Sequence, residues 1–338
     1  MPLIRFGFPF FLFFVMALQS CDSNKKTTPT ANKGLVDTAD IAAVEDSQDT
    51  TNVIAGCHIP PEPGVSRVRT DCLPAAGEQT YIGAHAGDLI LENAHVRYVL
   101  RTHSDAGLMI LGSGPGGLVD AIPVVDGIYR DDNDRLLEFI AFPGMRTLSN
   151  PTLEHGVDSE DGAAYISLEG SLAPIPLVHE VLPMLGTAGE ATLTWRLLPD
   201  TEVINLHVEI TPESTKTVGV ASALVLMHSG QLESFIPGQG IGDTVAGNGR
   251  MLAGVSSNYS VGILSDSNMS FLEAGGLTLG LPKTSDANAE TPAKAQYQIA
   301  VIGAGPTKLS DLLLPPTEER ARVAIKINGE IKFPQIPL

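Results

Sequence analysis

The sequence predicts an all-β protein, one large antiparallel β-sandwich, and three observations carry that prediction. The composition is rich in turn formers, with 34 Gly and 24 Pro in 338 residues. Several short segments alternate apolar and polar residues at period two, the mark of half-buried strands. Only one segment, Lys308–Leu314, has the look of a helix. Charged residues make up 18% against roughly 25% in average usage, so the chain is apolar enough to bury a core. Coiled coils, long helical bundles and disordered acidic chains are excluded. With 39 acidic and 21 basic side chains the formal charge is −18. That argues against a nucleic-acid partner, because neutralising phosphates takes clustered Lys and Arg.

Residues 1–20 read as a lipoprotein signal peptide. Arg5 precedes an apolar run from Phe6 to Leu18. At about 13 residues it is too short to span a bilayer comfortably but suits the hydrophobic region of a secretory signal. Leu18-Gln19-Ser20-Cys21 then resembles a bacterial lipobox. The thiol of Cys21 would form a thioether to diacylglycerol, and cleavage would leave a lipidated N-terminus. Lipidation is favoured over an ordinary cleaved signal with an incidental Cys, since the apolar region and the Cys fall in the required order. Each buried methylene contributes about 0.8 kcal/mol, so two or three acyl chains amount to stable anchoring. Residues 21–55 follow as the lipidated Cys and a polar stretch with few large apolar groups. It cannot repay its ordering entropy and reads as a disordered tether.

Beyond Cys21 the chain holds only Cys57 and Cys72. In an exported protein two such thiols read as one disulfide. Closing a loop of about 15 residues is worth roughly 3 kcal/mol in the chain-entropy model. A zinc site would need more Cys or His at short spacing, and only His58 is near.

From residue 56 the pattern is strands and turns. Asp88–Leu91 and Val96–Leu100 flank Glu92-Asn93-Ala94 as a hairpin, with Val96, Tyr98 and Leu100 on one face. Leu108–Leu111 is a short apolar run between Gly107 and Gly112. Glu190–Leu198 alternates Leu193, Trp195 and Leu197. After the Pro199-Asp200 turn, Ile204, Leu206, Val208 and Ile210 alternate with polar residues, the clearest period-two signal in the chain. Val218–Met227 is nearly continuous in apolar residues, as a central strand covered on both faces would be. Tyr259–Leu264 and Gln296–Ile302 add two more strands. Arg322–Lys332 has the look of a hairpin around Asn328-Gly329. These elements make residues 56–320 one β-sandwich domain and residues 321–338 a short C-terminal hairpin or strand extension.

Two glycine motifs invite a nucleotide reading and fail it. Gly112–Gly117 spells GxGxxG after a strand, but Pro123 breaks the helix that dinucleotide binding needs. Ala300–Pro306 resembles a flavin-binding opening, yet Lys308 stands where the third Gly belongs. No cofactor is therefore expected. The eight His form no His-x-His pair and none lies four apart on a helix, so no metal is expected either. No GxSxG elbow or SxxK motif is present. The acidic turns Asp131–Asp134 and Asp158–Gly162 lack EF-hand spacing and read as solvated loops, with weak calcium sites the minor alternative. His228 and Glu233 are the weak catalytic candidates: they follow the apolar Val218–Met227 segment, precede a glycine-rich loop, and together offer an acid and a base. A histidine simply hydrogen-bonded at a strand end is the plainer alternative.

With those residues in view, Gly87–Leu100 (GDLILENAHVRYVL), Gly114–Val124 (GPGGLVDAIPV) and Phe235–Gly242 (FIPGQGIG) resemble a family. It is the β-sandwich region of exported lipoproteins of the myxobacterial type. That region stands ahead of metallohydrolase domains of the polymerase-and-histidinol-phosphatase, carbaryl-hydrolase-like kind. The opening is also similar to the supersandwich of galactose mutarotases and carbohydrate-enzyme accessory domains. The resemblance implies a supersandwich spanning residues 87–330. It carries over no catalytic residue, since the hydrolase's His-x-His sequences are absent. The expectation is a lipid-anchored protein of a Gram-negative envelope, periplasmic or on the outer surface, with a non-catalytic binding or structural module. Its partners would be the membrane, through the lipid, and a carbohydrate or another envelope protein. The alternatives are a mutarotase-like, carbohydrate-active enzyme or carbohydrate-binding protein, and an accessory subunit of a separately encoded metallohydrolase. Few aromatics speak against the sugar reading, with Trp195 the only tryptophan and its alternation placing it inside.

Overall fold

The structure, a computed structural model, describes residues 64–67, 87–102, 115–129, 136–175, 179, 185–228, 232–236, 240–242, 246–274, 277–314, 325–327 and 330–332. The signal sequence with Cys21, the Cys57 and Cys72 pair, Leu108–Leu111 and the Asp131–Asp134 turn lie outside the described residues. Strands β1 to β6 are Gly64–Arg67, Leu89–Glu92, Val96–Leu100, Leu118–Val125, Ile128–Tyr129 and Leu136–Phe142. Strands β7 to β12 are Thr147–Val157, Ala164–Ala173, Gly189–Leu197, Val203–Pro212, Val218–Val220 and Ala223–His228. Strands β13 to β19 are Glu233–Ile236, Gly240–Gly242, Ala246–Val255, Ser260–Ala274, Leu277–Pro282, Ser285–Ala287 and Ala293–Ile302. Helix α1, Pro306–Leu313, follows, and the short strands β20 (Ile325–Ile327) and β21 (Glu330–Lys332) pair as a hairpin.

Seventeen of these strands form one hydrogen-bonded network, folded over into two antiparallel layers. The first layer runs β7-β8-β9-β10-β19-β16-β15-β13-β14. The second runs β1-β2-β3-β4-β6-β12-β17-β16-β15. Strands β15 and β16 belong to both. Ser260–Ser265 of β16 pairs with β19, whereas Met269–Ala274 pairs with β17. The register of β15 slips between Gly249 and Met251 where the shared hairpin crosses from one layer to the other.

The main core fills the space between the layers, and period-two alternation decides which side chains enter it. Ile204, Leu206, Val208 and Ile210 of β10 face inward with Leu193, Trp195 and Leu197 of β9, opposite Leu89, Leu91, Val96, Tyr98 and Leu100. The expected hairpin of β2 and β3 is present, with Val96, Tyr98 and Leu100 fully buried. Two side chains pin the layers together. Tyr98 Oη donates to the Glu202 carbonyl at 2.5 Å and accepts from the Val301 amide at 3.2 Å. Buried Asn93 accepts from the His95 and Val96 amides and donates to the carbonyls of Leu198 and Thr201, both at 2.8 Å. It thereby clamps the β2–β3 turn to the β9–β10 turn.

A second, smaller core lies on the outer side of the first layer, under α1. Leu309 and Leu313 pack there with Phe235, Met251, Ala253, Val255, Leu264 and Ile302. Gly262 permits the approach, since a Cβ on it would stand 2.8 Å from Leu309 Cδ2 and 3.0 Å from Leu313 Cδ1.

Several expectations need correction. Val218–Met227 is not one strand but two. β11 pairs with β18 in a separate ribbon, while β12 lies between β6 and β17. The break falls at Ala221-Ser222, where Ser222 Oγ accepts the Gly144 amide. Strand β16 continues ten residues beyond the expected end at Leu264, through a polar stretch that carries it across the two layers. Pro123 sits inside β4, opposite Val96, so the GxGxxG-like turn leads into a strand and no helix. The Ala300–Pro306 segment does enter a helix, but β19 before it lies between antiparallel β10 and β16, not in a βαβ unit.

Candidate functional site

His228 and Glu233 are not brought together. His228 ends β12 and is buried, its ring lying 3.1 Å from where a Cβ on Gly254 would stand, beside Leu232 in the inter-layer core. Glu233 opens β13 opposite Val255, a residue of the outer core beneath α1, and is exposed. His228 therefore points from the second layer into the space between the layers, whereas Glu233 stands on the outer face of the first layer. Trp195 is fully buried and meets Phe139 edge to face, with ring centroids 5.9 Å apart at 88°. It offers no surface on which a sugar ring could stack.

The Asp158–Gly162 turn is an arginine-clamped β-turn, not a freely solvated loop. Arg196 on β9 reaches Asp158 Oδ2 at 3.0 Å and Asp161 Oδ2 at 2.5 Å. The remaining oxygens accept backbone amides, Asp158 Oδ1 from Glu160 and Asp161 Oδ1 from Ala163. The Glu160 amide, then the guanidinium, hold the Asp158 carboxyl below its ordinary range. Among the described residues no group of three or more His, Cys, Asp or Glu is placed to hold a metal.

Two polar features escaped the sequence reading. The first is a strip of buried charges on the outer face of the second layer: Arg101 beyond β3, Asp120 on β4 and Glu138 on β6. Glu138 lies over Gly117, where a Cβ would stand 3.7 Å from its Oε1, and all three charges are engaged by neighbouring groups. The second is a pocket of about 120 Å³ at the point where β16 crosses between layers. Its apolar wall is the inner face of β10 and β19, including Val208, Ile210 and Ala295. Its polar wall includes Asp266 and Ser267 from the crossing, Lys283 and Ser285 beyond β17, Ser222 and Tyr297.

Tyr297 is the distinctive group of this pocket. It is 1% exposed, and its buried hydroxyl has no hydrogen-bond partner among the described residues. Burial, and secondarily the negative charge of Asp266, drive its ionisation far above the ordinary tyrosine range. Asp266 and Lys283 at the rim are exposed and enter no ion pair among the described residues, while Lys294 is held by Glu209 at 2.9 Å. Asp266 has one long contact, from Ser265 Oγ at 3.5 Å. A Tyr on β19, an Asp on β16 and a Lys after β17 are separated by 14 residues or more in sequence. Only the crossing of the two layers makes them neighbours.

No protein-family model and no curated protein matches the chain. Solved structures give distant likenesses. A galactose mutarotase-like protein from Clostridium acetobutylicum aligns over 72% of this chain and 99% of its own, at 5% identity and a TM-score of 0.41. A putative aldose 1-epimerase from Klebsiella pneumoniae aligns over 65% and 80%, at 9% identity and a TM-score of 0.40. Another, from Escherichia coli, aligns over 63% and 97%, at 6% identity and a TM-score of 0.38. None of the three bears on the chemistry of this chain.

Proposed function

We propose that this chain is a lipid-anchored protein of a Gram-negative cell envelope whose β-sandwich binds a small polar ligand without transforming it. The observation that carries the binding half is the pocket at the crossing of β16, where the apolar Val208, Ile210 and Ala295 meet the polar Asp266, Ser267, Lys283 and Ser285. The polar groups around it are hydroxyls, a carboxylate and ammonium groups. Such groups orient a ligand by hydrogen bonding. The anchoring half is supported by the order of Arg5, the apolar run and Leu18-Gln19-Ser20-Cys21.

Cys21→Ser tests the anchor. The native chain, expressed with radiolabelled fatty acid, is expected to carry label and to partition into detergent. The variant is expected to do neither, and a variant that still takes label at another site overturns the anchor. Absence of turnover tests the other half: sugar mutarotation followed by polarimetry is expected to run at the uncatalysed rate with the protein present. A second reading, carbohydrate binding, is favoured by the hydroxyl residues Ser222, Ser267 and Ser285 around the pocket. It loses its stacking platform to the burial of Trp195.

A further inference from the structure

We infer that the outer edge of β7 is a self-association surface. Two copies of this chain pair antiparallel along Thr152–Val157, about a two-fold axis at His155, and join their first layers into one sheet. The association goes beyond ligand binding and does not depend on the pocket. Among the described strands β7 pairs only with β8, so its other side is an open edge. The residue just past its end shows which backbone groups are free. The Asp158 amide donates to the Ala163 carbonyl at 2.8 Å and the Asp158 carbonyl accepts from the Gly162 amide, so both face β8. Alternation along the strand then turns the amides and carbonyls of Gly156, Glu154 and Thr152 toward β8. Those of Val157, His155 and Leu153 point away from it, with no described strand to meet them.

Sheets commonly guard such an edge with prolines, bulges or lysines. The first half of β7 is guarded in this way. Its ladder slips between Ser149 and Thr152, Asn150 has a φ of +47°, and Pro151 has no amide to give. The second half carries neither Pro nor Lys, and all of it but Gly156 is exposed. Leu153 and Val157 are 36% and 52% exposed. They lie on the face of the core residues Leu168 and Ala164 of β8, so the apolar surface of the core runs out to the edge uncovered. Charge then selects the register. A two-fold axis at Glu154 sets that carboxylate against its own copy, and one at Gly156 sets it against the partner's Asp158. One at Leu153 draws Pro151 into the seam. The axis at His155 sets Glu154 against the partner's Gly156 and Asp158 against the partner's Thr152. It also sets Leu153 against the partner's Val157 and Val157 against the partner's Leu153, which covers the exposed apolar pair twice. His155 meets its own copy at the centre. Three facing pairs exchange about six main-chain hydrogen bonds, and this self-complementarity is what a two-fold homodimer requires. The seam is roughly 20 Å long, small for an interface, so the dimer is expected to be weak.

The test is sedimentation equilibrium of the full chain at pH 8 in excess, density-matched detergent. A reversible monomer–dimer equilibrium is expected, with a Kd on the order of tens of micromolar. Val157→Lys is expected to weaken it at least tenfold while melting within a few degrees of native, because the side chain it replaces is more than half exposed. His155→Cys is expected to oxidise to a covalent dimer beyond the native background, since directly opposed residues lie within disulfide reach. Glu154→Cys, offset from its own copy, is expected not to. A native chain that stays monomeric through this concentration range overturns the inference. So does a dimer whose affinity Val157→Lys leaves unchanged, since another surface then holds the copies. Cross-linking of Glu154→Cys in place of His155→Cys overturns the register and the axis with it.

Discussion

Replacing Asn93 with Ala is the sharpest probe of how the two layers are joined. The side chain makes four hydrogen bonds at 2.8–3.1 Å, two to amides within its own turn and two to carbonyls of the β9–β10 turn more than 100 residues away. Asn93 is fully buried, so water cannot easily replace it. At roughly 1 kcal/mol net per hydrogen bond, with some partners left unsatisfied, the loss amounts to about 3–4 kcal/mol. For a domain of this size each kcal/mol lowers the melting temperature by roughly 2–4 °C, so a fall of about 6–16 °C is expected. Calorimetry of the native and variant chains measures it. Asn93→Asp separates the two halves of the clamp. It keeps the acceptor toward His95 and Val96 but loses both donors, and it is expected to remain clearly destabilised. If Asn93→Ala melts within a degree of the native protein, or Asn93→Asp is as stable as native, the clamp does not hold the layers.

Three further outcomes follow from the same geometry. Trp195 fluorescence is expected to be blue-shifted and insensitive to added sugars and acrylamide, given its complete burial against Phe139; a red emission easily quenched by acrylamide contradicts the packing. Gly262→Val is expected to push α1 off the first layer, costing about 1–3 kcal/mol by overpacking against Leu309 and Leu313. Faster amide exchange confined to α1 is the readout, and unchanged protection of α1 speaks against the contact. Arg196→Met removes the clamp on Asp158 and Asp161. The carboxyl of Asp158 is held below its ordinary value of 3.8, so its contribution is present above that pH and lost as pH falls through the lower folded value. The difference in stability between native and variant is therefore expected at pH 6 and absent in strong acid. A difference that persists unchanged into strong acid refutes the ion pairs as its source.

How much of this was legible in the sequence depends on where each strand's faces point. β9 and β10 could be read residue by residue because one face is buried and the other meets polar neighbours. β7 could not, because most of its residues from Thr152 to Val157 are exposed and Asn150-Pro151 interrupts the pairing, which leaves no apolar period to find. The continuation of β16 through Asp266, Ser267 and Asn268 reads as a loop, because a strand crossing between layers has no constant buried side. Asn93 looked like an ordinary turn residue, and nothing local reveals that its amide is used on the opposite layer. The pocket was invisible for the same reason. Tyr297 alternates like any core residue of β19, and only its missing partner distinguishes it.

The sharing of β15 and β16 also sets a condition on how the molecule can be made. Strands β2 to β6 find their remaining neighbours only when β12 and β17 exist, and β10 waits for β19, nearly a hundred residues later. A ribosome or export channel releasing the chain from its N-terminus thus exposes a long series of unmatched edges, and closure comes only after about residue 302. Pairings of such sequence separation fold slowly. For the exported protein proposed above, which would be threaded through a membrane before it settles, that delay would be an asset: the chain would stay translocatable until almost all of it had arrived.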